Sequence, residues 1–191
     1  MASSYECEVR FLITDIEKYR NRIGELGGIV RYPYEFTDHY YMPRNEKWDP
    51  VLKNIRIREW NYPKNPTCIY LIKNEVIELK GVKFKKSFYK EGKLSLFSAS
   101  LEECKEVMAD LGFAPWIIVE KKDCKLYDIP KKFITIEEFI PEIGWTGELE
   151  IAGDNLESAS SYIKKSLDLL HIKEYTFKSV SRLVAEAKGL V

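Results

Sequence analysis

The chain has 191 residues, room for one domain spanning residues 1–191 with a sizeable core, and its 45% hydrophobic content excludes a disordered polymer. Its 30 basic residues balance 30 acidic ones, so no globally basic surface for nucleic acid is expected. No apolar run reaches the roughly 18 residues of a membrane span, and no membrane partner is expected.

In chain order, Met1-Ala2-Ser3-Ser4-Tyr5 lacks the charged and apolar regions of a secretory leader, which predicts a cytoplasmic protein. A strand follows over Tyr5–Ile13, in which Glu6, Glu8 and Arg10 alternate with Cys7, Val9 and Phe11. Thr14–Leu26 reads as a helix with Thr14 and Glu17 as a capping box and Gly27-Gly28 as its stop. Strands are predicted over Thr37–Met42, Lys53–Trp60 and Thr67–Lys73, with a loop at Asn61–Pro66. Residues 74–81 stay ambiguous.

Lys83–Lys90 and Lys93–Phe97 read as a hairpin turning at Glu91-Gly92. Ser100–Leu111 is a second capped helix, with Glu103 completing the box and Gly112 ending it. Strands over Trp116–Tyr127, Phe133–Phe139 and Gly147–Ala152 come next, then helices over Leu156–Leu170 and from Ser179 onward. Cys7, Cys68, Cys104 and Cys124 form no Cys-x-x-Cys pair, so free thiols are expected rather than a zinc site.

Three strands repeat one device. Glu6 and Glu8, Arg56 and Arg58, and Glu148 and Glu150 are each like charges two residues apart, hence on one face. If those faces meet, they line a polar interior. Crowded carboxylates repel, and a hard cation relieves them, which makes Glu6, Glu8, Glu148 and Glu150 candidate ligands for Mg²⁺ or Mn²⁺. Arg10, Arg56, Arg58 and Lys73 are the candidate phosphate contacts, because guanidinium forks match phosphate oxygens. Lys121 is a further candidate, and the lysines from Lys80 to Lys93 fit a solvated hairpin about as well as a phosphate site. No P-loop, dinucleotide-binding or nucleophile-elbow motif occurs.

Glu6-x-Glu8-x-Arg10 resembles the Glu-x-Glu-x-Lys signature of the CYTH superfamily, the triphosphate tunnel metalloenzymes. Thr37-Asp38-His39-Tyr40-Tyr41, Ile55-Arg56-Ile57-Arg58, Leu71-Ile72-Lys73, Leu111-Gly112-Phe113 and the segment Ile143–Ile151 resemble that family's later motifs, in the expected order. The resemblance implies an α+β fold with a closed eight-stranded antiparallel β-barrel and flanking helices. It implies a metal held by the glutamates, a triphosphate gripped by the basic residues, and an extra acid near Glu138. Arg10 stands where the signature has its Lys and is the expected catalytic position, although an Arg does not deprotonate to activate a nucleophile.

The expected function is a metal-dependent phosphohydrolase taking a small-molecule triphosphate: a nucleoside triphosphate, thiamine triphosphate or tripolyphosphate. A class IV-type adenylate cyclase and a non-catalytic nucleotide- or polyphosphate-binding module are the alternatives. A homodimer is left open.

Overall fold

In β1 (Tyr5–Leu12) the fully buried Cys7, Val9 and Phe11 point one way, and Glu6, Glu8 and Arg10 point the other. That alternation decides the architecture, because the apolar face packs outward under helices while the charged face turns inward. The computed structural model describes residues 5–130, 132–153 and 155–191; the opening residues 1–4, read above for targeting, lie outside them.

After β1 the chain forms α1 (Ile16–Glu25), β2 (Ile29–Pro43), β3 (Lys53–Tyr62), β4 (Cys68–Leu79), β5 (Val82–Ser87) and β6 (Leu94–Ser98). It continues through α2 (Leu101–Asp110), β7 (Phe113–Ile129), β8 (Phe133–Ile140), β9 (Gly144–Gly153), α3 (Leu156–Leu169) and α4 (Val180–Ala187). Strands pair antiparallel in the order β3-β2-β7-β8-β9-β1-β5-β4, and β4 returns to β3, which closes an eight-stranded barrel. The ambiguous residues 74–79 are strand. They let β4 pair β3 and β6 through its first half and β5 through its second.

The main apolar core lies outside the barrel. Val9, Phe11, Phe84 and Leu149 on the outer wall meet Tyr19 and Ile23 of α1 and Ala159, Ile163 and Leu167 of α3. Ile55, Ile57 and Ile69, the residues alternating with the arginines, pack on Cys104 and Met108 of α2. Burying each such side chain contributes about 1.5–3 kcal/mol. The α2 capping box forms as expected between Ser100 and Glu103. In α1 the cap is Asp15 rather than Thr14: its carboxylate accepts from the Lys18 amide at 3.0 Å, one residue later than the sequence suggested.

The C-terminal stretch packs back on the barrel. Arg10 and Thr176 exchange backbone hydrogen bonds of 2.9 and 2.7 Å, and the Ser179 hydroxyl donates to the Pro50 carbonyl at 3.0 Å. Val180 and Val184 of α4 then pack on Tyr40, Ile117 and Ile140. All four cysteines are buried free thiols. Among the described residues no helix is long and apolar enough to cross a membrane.

Candidate active site in the barrel interior

The barrel encloses a cavity of about 460 Å³, within the range of small-molecule sites. Glu6, Glu8, Arg10, Arg56, Arg58, Lys121, Glu138, Glu148 and Glu150 all line it. Lys73 does not. Tyr70, Ile72 and Asn74 take the inward positions of β4, so Lys73 is exposed on the outer face with its ammonium over the Phe88 ring at 4.7 Å. The expectation of a phosphate-binding Lys73 is therefore corrected. Of the lysines from Lys80 to Lys93, which the sequence left between a solvated hairpin and a phosphate site, Lys85 on β5 and Lys93 just before β6 line the cavity.

One wall, built by β1, β8 and β9, is rich in acid. Register sets Arg10 opposite Glu148 and Glu8 opposite Glu150. Arg10 donates to Glu138 at 2.9 Å, to the Thr146 hydroxyl at 3.0 Å and to Glu148. Glu138 also accepts from Lys121 at 2.7 Å and from the Tyr34 hydroxyl at 2.9 Å. Burial pushes the Glu138 carboxyl up, but Lys121 and Arg10 outweigh it and hold it at about 2. Glu137 faces the other way, toward Arg20 and Lys125, which fixes Glu138 as the inward acid. Glu8 is ion-paired with Lys85.

Glu6 and Glu150 differ from these. Among the described residues neither side chain has a hydrogen bond or an ion pair, although the Lys93 charge acts on both. Burial, followed by the neighbouring Glu148 and Glu6, pushes the Glu150 carboxyl up to about 8. Burial and Glu148 raise that of Glu6.

The cationic wall lies across the cavity. In the ring of eight strands β3 stands four places from β9 in either direction, so Arg56 and Arg58 face Glu148 and Glu150. Arg58 forks onto Asp38 at 2.8 and 2.9 Å and stacks over the Phe36 ring at 3.5 Å. Arg56 lies 3.2 Å from Asp38 and donates to the Tyr40 hydroxyl at 2.8 Å, while its buried Nε has no partner. Burial would raise the Asp38 carboxyl, yet the two guanidiniums hold it below its ordinary value. Burial, with Arg58 and Arg56, lowers the Lys93 ammonium.

In the family that the motifs resemble, a Lys-x-Arg strand would fall in residues 120–125, with Asp123 or Cys124 at the Arg position. A bulge intervenes there: Asp123 has φ 48°, the register shifts between Lys122 and Lys125, and Asp123 leaves the interior. Cys124 is buried against Tyr34, Phe36 and Ile136, so this part of the barrel is apolar.

No protein-family model and no curated protein matches the sequence. Solved structures do match. The PH1012 protein of Pyrococcus horikoshii OT3 superposes with a TM-score of 0.72 at 23% identity, over 93% of this chain and 98% of that one. A proposed adenylate cyclase from Vibrio parahaemolyticus gives 0.70 at 12% identity over 96% and 99%. HpAC1 from Hippeastrum, an adenylyl cyclase candidate described as having a dominant triphosphatase activity, gives 0.63 at 12% over 98% and 97%. The barrel has their fold. At these identities the likeness speaks for the fold alone.

The donor set of the interior suits a hard dication, since it offers carboxylate oxygens and no soft ligand. Among the described residues no three His, Cys, Asp or Glu side chains are arranged to hold a metal ion by themselves. Mg²⁺ needs only one or two protein carboxylates when substrate phosphates complete its shell. Glu6 and Glu150 are the lining glutamates without an ion pair among the described residues.

Proposed function

We propose that this chain is a metal-dependent phosphohydrolase acting on a triphosphate-containing small molecule inside the barrel. The observation that carries the reading is the polarity of the cavity. Glu6, Glu8, Glu138, Glu148 and Glu150 outnumber Arg10, Lys85 and Lys121 on one wall, Arg56 and Arg58 outnumber Asp38 on the other, and Lys93 lies between them. A triphosphate carries about four negative charges near neutral pH and needs cations on both sides.

Arg56 and Arg58 supply one side, held in position by Asp38, Tyr40 and Phe36. Their planar forks match the equatorial phosphate oxygens, and the unpartnered Nε of Arg56 is a donor held ready for one. A dication at Glu6 and Glu150, Mg²⁺ or Mn²⁺, supplies charge neutralisation at the phosphate oxygens on the other side. Arg10 is spent on Glu138, Glu148 and Thr146, so it positions acids rather than taking a proton. Rate acceleration rests on positioning and on charges fixed in a water-poor interior. The cytoplasm is the compartment this reading assigns.

The test is turnover of ATP and of tripolyphosphate with Mg²⁺ or Mn²⁺, with phosphate, pyrophosphate and cyclic AMP all quantified. Phosphate release that is lost in Arg56→Ala establishes the hydrolase. Pyrophosphate with cyclic AMP makes the protein a class IV-type cyclase instead. Ligand binding with no product makes it a binding module.

A further inference from the structure

A second cavity lies outside the barrel, between α2 and the outer face of β2 and β7. Its volume is about 430 Å³, in the range of small-molecule sites. Strand parity builds it. Along β2, Asp38 and Tyr40 hold the arginines of the interior, while the alternate residues His39 and Tyr41 turn outward into this second space. Trp116 and Ile118 of β7 form an apolar wall, and Ile118 is 51% exposed.

The polar side chains of the lining are His39, Tyr41, Arg44 and Lys105, and no carboxylate lines it among the described residues. Two of these groups are answered from outside the lining: His39 by Glu59 at 3.4 Å and Lys105 by Glu102 at 2.8 Å. The Lys105–Glu102 pair is exposed, one turn apart on α2, and such pairs hold weakly. The Arg44 side chain has no hydrogen bond or ion pair among the described residues, so its charge is the one left over.

Tyr41 adds an independent observation. It is only 5% exposed, yet its hydroxyl makes no hydrogen bond among the described residues. Buried hydroxyls are nearly always bonded, so one without a protein partner is a donor waiting for a ligand. Burial raises this hydroxyl above its ordinary value, with Lys105 opposing the rise, so it stays protonated at neutral pH.

We propose that this outer cavity binds a small aromatic carboxylate, its acid group on Arg44 and Lys105 and its ring against Trp116 and Ile118. A single unpaired guanidinium matches one carboxylate rather than a polyphosphate, and its planar fork fits the two oxygens. The apolar wall supplies the affinity of the ring. The site stands apart from the triphosphate reading and does not depend on it. Tyr40 lies in the linings of both cavities, so the test must say which one is filled.

The experiment is calorimetric titration of the full chain with cinnamate, and with cinnamamide as its uncharged counterpart. Cinnamate is expected to bind with a dissociation constant below about 1 mM, and cinnamamide at least tenfold more weakly. Arg44→Gln and Tyr41→Phe should each weaken cinnamate at least threefold. Ala109→Trp, at an exposed position of α2 on the rim, should fill the space and abolish binding. Arg56→Ala, inside the barrel, should change cinnamate affinity less than twofold.

No cinnamate bound up to about 5 mM, or equal affinity for the two probes, would overturn the proposal. So would a loss in Arg56→Ala without one in Arg44→Gln, which would put the probe in the barrel. A dimer by light scattering that Ile118→Glu dissociates would also overturn it, because a second copy would then cover the cavity. The comparison of the two probes on the wild-type chain decides even if a variant fails to fold.

Discussion

Asp38 and Arg58 form a buried bidentate pair, Nε to Oδ1 at 2.8 Å and Nη2 to Oδ2 at 2.9 Å. The same carboxylate lies 3.2 Å from Arg56, so a single anion holds both arginines of the cationic wall. Removing one partner of a buried pair strands the other's charge, at a cost of about 3–5 kcal/mol. Asp38→Asn should therefore lower the melting temperature markedly. A polyanion can stand in for the lost carboxylate, so tripolyphosphate should raise the melting temperature more in Asp38→Asn than in wild type. Equal ligand-induced shifts would show that the arginines do not meet the phosphate.

Arg56 and Lys73 make a second comparison, because only one faces the cavity. Arg56→Ala should weaken tripolyphosphate binding at least tenfold by calorimetry, since it removes a charge-assisted contact of about 1.5–3 kcal/mol. Lys73→Ala should change it less than twofold. A large effect at Lys73 would contradict its placement on the outer face.

Two buried carboxyls give opposite pH slopes. Glu138 is held at about 2, below its unfolded value, so its contribution is present above about pH 5 and is lost as pH falls toward 2. Glu138→Gln should flatten that acid limb and cost about 3–5 kcal/mol near neutrality by leaving Arg10 and Lys121 short of a partner. Glu150 is pushed up to about 8, so the folded state binds the extra proton and stability without metal falls as pH rises from about 4.5 to 8. Glu150→Gln should remove that decline in urea titrations run with a chelator, and Mn²⁺ should suppress it in wild type. A wild-type profile flat over this range would refute the assignment.

Gly92→Ala tests the turn over Glu6. A residue with a Cβ at φ +71° costs about 1–2 kcal/mol, and the new methyl must displace the Glu6 carboxylate. The variant should fold, with a modestly lower melting point, and need several-fold more Mn²⁺ for the same occupancy. Unchanged Mn²⁺ affinity would separate Glu6 from the ion.

Much of this site was legible because β1, β3 and β9 alternate cleanly. In Ile55-Arg56-Ile57-Arg58 and Glu148-Leu149-Glu150-Ile151 every second residue is charged, so parity alone says which side chains share a face. Cys68-Ile69-Tyr70-Leu71-Ile72 has no such alternation; apolar residues fill both faces, and the direction of Lys73 could not be read from it. The inward direction of Lys85 was hidden among the lysines of its hairpin, and only the pairing of β5 with β1 reveals Glu8 as its partner. Asp38 sat in a recognised motif, yet its role as the anion between two arginines depends on the β2–β3 register. The bulge at Asp123 adds a residue that no periodic pattern anticipates.

The docking of Thr176 on Arg10, with α4 packed on Tyr40, Ile117 and Ile140, brings Ser179 and Val180 into the lining of the cavity. The last stretch of the chain is thus masonry as well as roofing: cutting it away would strip part of the cavity's own lining along with the helix packed behind it.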